Sequence, residues 1–296
     1  MSSRPSISPA PPARRPTVTL STLAAKKALG EPIAMVTAYD YPSARVAEAA
    51  GVDVVLVGDS GAMTVLGYPS TVPVSIDEML MLAAAARRGL TTPMLVGDLP
   101  FGSYAASDEL AVTSAQRFVK EAGCDAVKLE RGGSSADRAR AITAAGIPVM
   151  GHVGLTPQTA IALGGYRSQG RTAERALEVA RDALELQQAG CFSIVFEAVP
   201  SELTDALMPK MEIPVIGIGA GPATDGQVLV FHDLLGIYEG HAARFVKRYA
   251  RVREAMEDGV EAFVRDVRER AYPEPEHGYT MAPDEGARLR ELLGDA

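Results

Sequence analysis

Residues 54–60 read VVLVGDS, four consecutive apolar residues, a glycine, then an acid and a serine. A strand with one wet face alternates apolar and polar residues. This one does not, so both of its faces are covered, as in a parallel sheet flanked by helices. Five more runs share the grammar: IAMVTAYD (33–40), MLVGDLP (94–100), AVKLE (126–130), PVMGH (148–152) and SIVFE (193–197). They deliver Asp40, Asp98, Lys128 with Glu130, His152 and Glu197 near their carboxyl ends. In a closed barrel of parallel strands all those ends open on one face. The expected fold is therefore α/β, a (β/α)8 TIM barrel with an N-terminal helix and C-terminal helices. Asp59, Asp98, Glu130, His152 and Glu197 should ring one pocket.

The chain has 296 residues, 47% of them hydrophobic, enough for one large core. A net charge of −8 argues against nucleic acid and anionic membranes as partners. The two cysteines, Cys124 and Cys191, form no disulfide framework and suggest a reducing, cytoplasmic setting. Every apolar run is interrupted before it could span a bilayer. Residues 1–16, rich in proline, serine and arginine, read as a disordered leader. One catalytic domain should follow over 17–278, and 279–296 read as a weakly attached tail.

Local signals place the elements. Leu20–Leu29 reads as a helix ended by Gly30 that could plug the barrel floor, and Ser43–Ala50 as a helix ended by Gly51. Ser75 and Glu78 form a capping-box pattern ahead of a one-sided apolar stripe. Ser107 opens another helix that stops at Gly123, Ala136–Ala145 suggests a further one, and Thr172 caps the next. The stretches 61–74 and 154–171 are long, glycine-rich loops and candidates for covering the active face. A seventh strand lies within 213–221, where GIGAG suits tight turns better than a dinucleotide site. The eighth is ambiguous: 228–233 reads either as a strand or as part of a helix starting near Thr224. From 242 to 270, Phe245, Tyr249, Val252, Met256, Val260, Phe263 and Val267 recur at helical spacing, a stripe for packing on the barrel or on another subunit.

Asp59, Asp98 and Glu130 end three successive strands, and three close acids repel unless a cation lies between them. Oxygen donors without cysteine favour magnesium over zinc, and magnesium takes only one or two carboxylates directly, so Glu130 is expected to act through water. Lys128 shares a strand face with Glu130. His152 could serve as base, ligand or hydrogen-bond donor. Glu197, after the apolar Ile194, Val195 and Phe196, suits a general base working near neutral pH.

Ten motifs in order, VTAYDYPSA, VGDSGAMTVLGY, GDLPF, AVKLE, GHVGLTPQ, GGYRSQGR, FEAVP, IPVIGIGAG, TDGQVLV and YPEPEH, resemble those of the ketopantoate hydroxymethyltransferase family over residues 17–278. The resemblance implies a cytoplasmic, magnesium-dependent enzyme of pantothenate biosynthesis. Such an enzyme moves a hydroxymethyl group from methylene-tetrahydrofolate to 3-methyl-2-oxobutanoate and forms a homo-oligomer, commonly a decamer. It puts the metal acids on Asp59, Asp98 and Glu130, and substrate contacts on Asp59, Ser60, Asp98 and Lys128 with His152 beside them. The base falls on Glu197. Gly61-Ala62, Arg131 and the extension past His277 depart from the family pattern. The competing reading is a magnesium-dependent barrel lyase acting on phosphoenolpyruvate-like 2-oxo acids, which would need no folate. A non-catalytic scaffold is disfavoured by the intact set of acids.

Overall fold

The computed structural model describes residues 15–131, 134–240 and 243–294. Residues 1–14 of the expected leader lie outside them, as do Gly132, Gly133, His241 and Ala242. Eight strands close a barrel in sequence order, every neighbouring pair parallel. They are β1 (Ile33–Thr37), β2 (Val54–Val57), β3 (Met94–Asp98), β4 (Ala126–Lys128), β5 (Val149–Gly154), β6 (Ser193–Glu197), β7 (Val215–Ile218) and β8 (Gly226–Leu229).

The helices between them begin and end where local chemistry dictates. Helix α1 (Leu20–Leu29) starts in a Thr19–Thr22 capping box and ends at left-handed Gly30. Helix α2 (Tyr41–Ala50) starts two residues ahead of the expected Ser43, takes Asp40 as its cap, and ends at left-handed Gly51. A short helix, α3 (Gly61–Thr64), opens the stretch expected to be all loop. The Ser75–Glu78 capping box starts α4 (Ile76–Gly89). Ser107 caps α5 (Asp108–Ala122), α6 spans Ser135–Ala144, and Thr172 caps α7 (Ala173–Gln188). Helix α8 (Ser201–Leu207) follows β6.

Alternation along the strands divides the core in two. Ile33, Met35, Val54, Leu56, Met94, Val96, Ala126, Met150, Val195 and Ile216 fill the barrel interior, with Leu23 of α1 plugging it as expected. Val36, Val55, Val57, Leu95, Val127, Val149, Ile194 and Phe196 face the helix layer. Within each strand the inward parity runs on to the chemistry: Met94, Val96, Asp98; Ala126, Lys128, Glu130; Met150, His152; Val195, Glu197.

Two further expectations are corrected. The eighth strand begins at Gly226, earlier than 228, and its continuation is a separate short helix, α9 (Phe231–Leu234). A Cβ at Gly226 would lie 2.4 Å from the carbonyl oxygen of Ile33, so β8 closes on β1 only with glycine there. The C-terminal helix α10 covers Val252–Arg268 alone. Phe245 and Tyr249 lie before it in irregular chain, because the amides of Tyr249 and Val252 donate to Leu234 and Leu235 instead of continuing a helix. Phe245 packs against the barrel interior. At the other end Arg15 donates to the carbonyls of Gly51 (2.7 Å) and Glu48 (3.1 Å). A final helix, α11 (Pro283–Leu293), buries none of its residues. No helix is long and apolar enough to cross a membrane among the described residues.

Candidate active site

One cavity of about 180 Å³ opens at the carboxyl ends of the strands. Its wall contains Asp59, Ser60, Asp98, Lys128, Glu130, His152 and Glu197, all seven of the residues singled out from the sequence. Tyr166, from the 154–171 stretch, and Met63 with Thr71, from 61–74, also line it, so both long connections lie on this face.

The acids are held individually. The Asp59 amide donates to Asp98 Oδ2 at 3.1 Å, drawing together the ends of β2 and β3. Lys128 is the direct register partner of Asp98, and its Nζ lies 2.8 Å from Oδ1. Burial alone would lower the Lys128 ammonium's pKa, but Asp98, Glu130 and Asp59 outweigh it and raise it. Burial, then the charge of Asp98, pushes the Asp59 carboxyl up to about 7. Burial and the charge of Asp59 raise Glu130 in the same direction.

His152 is buried between Lys128 and Glu197. Its Nδ1 lies 3.4 Å from Lys128 Nζ and its Nε2 lies 3.2 Å from Glu197 Oε2. Burial, then the neighbouring ammonium, lowers its pKa, which favours the neutral imidazole. Since an ammonium can only donate, Nδ1 is the acceptor and the ring proton belongs on Nε2, facing Glu197. Glu197 ends β6, four strands from β2 and so across the barrel from Asp59. Its carbonyl accepts from the Leu155 amide at 2.9 Å, and the next residue, Ala198, holds a left-handed φ of 48°.

The chemistry of the donor set decides which divalent cation could fit. Among the described residues no three of His, Cys, Asp and Glu stand as a ready-made metal cage. Glu130 Oε1 is buried with no hydrogen-bond partner, an orphaned acceptor inside an all-oxygen cluster. A magnesium ion that keeps its waters and takes one or two carboxylates fits such a rim; a zinc ion wanting four protein ligands does not.

Other residues of this site were not read from the sequence. Gln158, buried, donates to Asp59, and Tyr104 donates to Gln158. Tyr39 shares a 2.8 Å hydrogen bond with Ser60, and burial raises its phenol to about 12. Phe245 lines the cavity. Only the motif GHVGLTPQ could have drawn attention to Gln158, since it places a polar side chain just beyond a strand end.

A closed parallel barrel with Asp59, Asp98, Glu130, Glu197 and one lysine around a small enclosed cavity is a (β/α)8 enzyme with an acidic mouth, suited to a small oxygen-rich ligand. The chain belongs to the ketopantoate hydroxymethyltransferase family, whose profile matches residues 17–275. It is 50% identical over 262 residues to 3-methyl-2-oxobutanoate hydroxymethyltransferase of Shouchella clausii, covering 88% of this chain and 94% of that one. It is 50% identical over 254 residues to a protein of the same name from Thermus thermophilus, covering 86% and 97%. Among solved structures it resembles phosphonopyruvate hydrolase in complex with oxalate and magnesium, with a TM-score of 0.56 at 16% identity, covering 94% and 96%. It also resembles 2,3-dimethylmalate lyase, a PEP mutase/isocitrate lyase superfamily member, with a TM-score of 0.53 at 16% identity, covering 95% and 97%. At such identity these two likenesses establish the fold alone.

Proposed function

We propose that this chain transfers a hydroxymethyl group from methylene-tetrahydrofolate to 3-methyl-2-oxobutanoate, giving 2-dehydropantoate for pantothenate biosynthesis. Family membership and the names of its half-identical relatives support the reaction. The observation that carries the mechanism is the placement of Glu197 on the wall of the same cavity as Asp59, Asp98 and Glu130, four strands round the barrel from Asp59.

In this reading Asp59 and Asp98 are the residues that would hold magnesium, with Glu130 acting through water. A magnesium ion bound there would supply Lewis-acid polarisation of the keto group and a counter-charge for the developing enolate. Lys128, donor-only and aimed inward, binds the oxygens of the keto acid together with Ser60. Glu197 takes the proton from C3: the C3–H bond breaks and its electron pair flows to the keto oxygen as an enolate. His152, with its proton on Nε2 3.2 Å from Glu197 Oε2, would orient that carboxylate and leave its other oxygen for the proton. Carbon C3 then bonds to the folate methylene carbon. Both bonds from the methylene carbon to folate nitrogens break: water supplies the hydroxyl, one nitrogen takes the remaining water proton, and the other takes the proton that Glu197 removed from C3. Tyr166 and the 154–171 connection cover the mouth.

The same reading includes a homo-oligomer, a decamer, using the face of α10 where Met256, Val260, Phe263 and Val267 are 57%, 64%, 54% and 46% exposed. It also places the enzyme in the cytoplasm, which suits two buried free cysteines.

Deuterium exchange at C3 of 3-methyl-2-oxobutanoate, with magnesium and without folate, tests the chemistry. Glu197→Gln keeps the shape but cannot accept the proton, and exchange should fall by about 10²–10⁴-fold with substrate binding nearly unchanged. Persistence of exchange in this variant and its loss in His152→Asn would transfer the base role to His152.

A further inference from the structure

Gln158 follows Pro157 in a single turn of 3-10 helix beyond β5, and it is 4% exposed. Its backbone amide donates to Glu130 Oε2 at 3.0 Å. Its side-chain Nε2 donates to Asp59 Oδ2 at 2.9 Å and to the carbonyl of Leu99 at 3.0 Å. Its Oε1 accepts from the Tyr104 hydroxyl at 2.8 Å, and that hydroxyl accepts in turn from the Glu130 amide at 3.3 Å. The orientation of the amide is fixed by chemistry. A carboxylate and a carbonyl can only accept, so the end that faces Asp59 and Leu99 must be the NH₂ group. The result is one directed chain: Glu130 N–H to Tyr104 Oη, Tyr104 O–H to Gln158 Oε1, Gln158 N–H to Asp59. One residue from the covering loop therefore grips two carboxylates that arrive from separate strands.

We infer that Gln158 is a positioning residue: held by Tyr104, it sets the carboxylate of Asp59 against that of Glu130 in the arrangement a divalent cation requires. Like charges on two strand ends repel, and both are buried, so without a shared donor they would turn apart. The Asp59–Asp98 contact does not do this work, because there the Asp59 backbone donates and its carboxylate is left free. Gln158 engages Oδ2 of Asp59 and Oε2 of Glu130, and the unpartnered Oε1 of Glu130 is thereby held in place. Partners one shell beyond the ligands orient them and commonly change metal affinity by about 10–100-fold. This inference rests on the reading of the rim as a cation site.

The test is Mn²⁺ binding to the chelator-stripped full-length protein, followed by electron paramagnetic resonance without keto acid or folate. Gln158→Leu keeps volume and the backbone donor but deletes the amide. It should weaken Mn²⁺ by about 10–100-fold in a protein that still folds. Tyr104→Phe should weaken it less and in the same direction. The double variant should be no worse than Gln158→Leu alone, because Tyr104 acts through Gln158. Wild-type affinity, within about twofold, in a folded Gln158→Leu protein overturns the inference and leaves the cation site standing. If the wild type itself binds no Mn²⁺, the cation reading fails and the inference falls with it. Should Gln158→Leu not fold, Tyr104→Phe decides alone, since it removes a single oxygen: wild-type affinity there overturns the role.

Discussion

Lys128 and Asp98 sit side by side across the β3–β4 ladder, Nζ to Oδ1 2.8 Å, with side chains 4% and 1% exposed. Among the described residues the lysine is the one ammonium or guanidinium in the cavity wall, set against Asp59, Asp98, Glu130, Glu197 and Asp233. Removing one partner of a buried pair leaves the other charge uncompensated, at about 3–5 kcal/mol. Lys128→Met, urea-denatured in chelator, should lose about that much stability. Added magnesium should restore part of it. A variant as stable as the wild type would mean that the acids take up protons instead.

The same crowding predicts a pH dependence opposite to that of an ordinary salt-bridged carboxylate. Asp59 is raised from 3.8 to about 7 by burial and by Asp98, so between those values the native state holds a proton that the unfolded chain has released. Stability of the metal-free protein should therefore fall as pH rises through this window. Asp59→Asn should flatten that slope in urea titrations between about pH 4.5 and about pH 7.5. An unchanged slope would assign it to other groups.

Gly154 ends β5 at a φ of 94°, and a Cβ there would meet the Glu197 carbonyl oxygen at 2.2 Å. Gly154→Ala should push the end of β6 away from β5 and move Glu197. Displacement of a reacting group by 1 Å can cost about 10²-fold in rate, so C3 exchange should drop by that order in a protein that still folds. Unaltered exchange would show that Glu197 is positioned independently of the β5–β6 contact.

Val260 is 64% exposed on α10, in line with Met256, Phe263 and Val267. Val260→Glu should change the stability of an isolated subunit by no more than about 0.5 kcal/mol. If this face joins copies of the chain, sedimentation should show a smaller assembly. An assembly of unchanged size would leave the face without a role in oligomerisation.

The barrel was legible because its signal is redundant: Val54–Val57 and Met94–Asp98 are wholly buried, so their apolar runs admit no wet face. The acids were legible because strand parity carries Asp98, Glu130 and Glu197 onto the interior side. Gln158 was not, since its partners come from other segments and its value depends on a loop folding back onto them. Phe245 and Tyr249 were misplaced for a different reason. Their spacing continued the helical step of α10, and periodicity does not record that Leu234 and Leu235 take the amides a helix would need. At β8 the run was too short to separate strand from helix, and the deciding contact was the fit of Gly226 against Ile33.

The closing seam of the barrel joins the first strand made to the last, Ile33 to Gly226. During synthesis β1 therefore leaves the ribosome with one ladder edge unsatisfied, and that edge stays open until nearly all of the barrel has been translated. Open edges of apolar strands are templates for pairing with other chains, which makes the nascent protein dependent on shielding by chaperones or on fast completion. A chain cut after Asp225 would carry two such edges permanently. It should collect in the insoluble fraction, where the full-length chain, expressed alongside it, remains in solution.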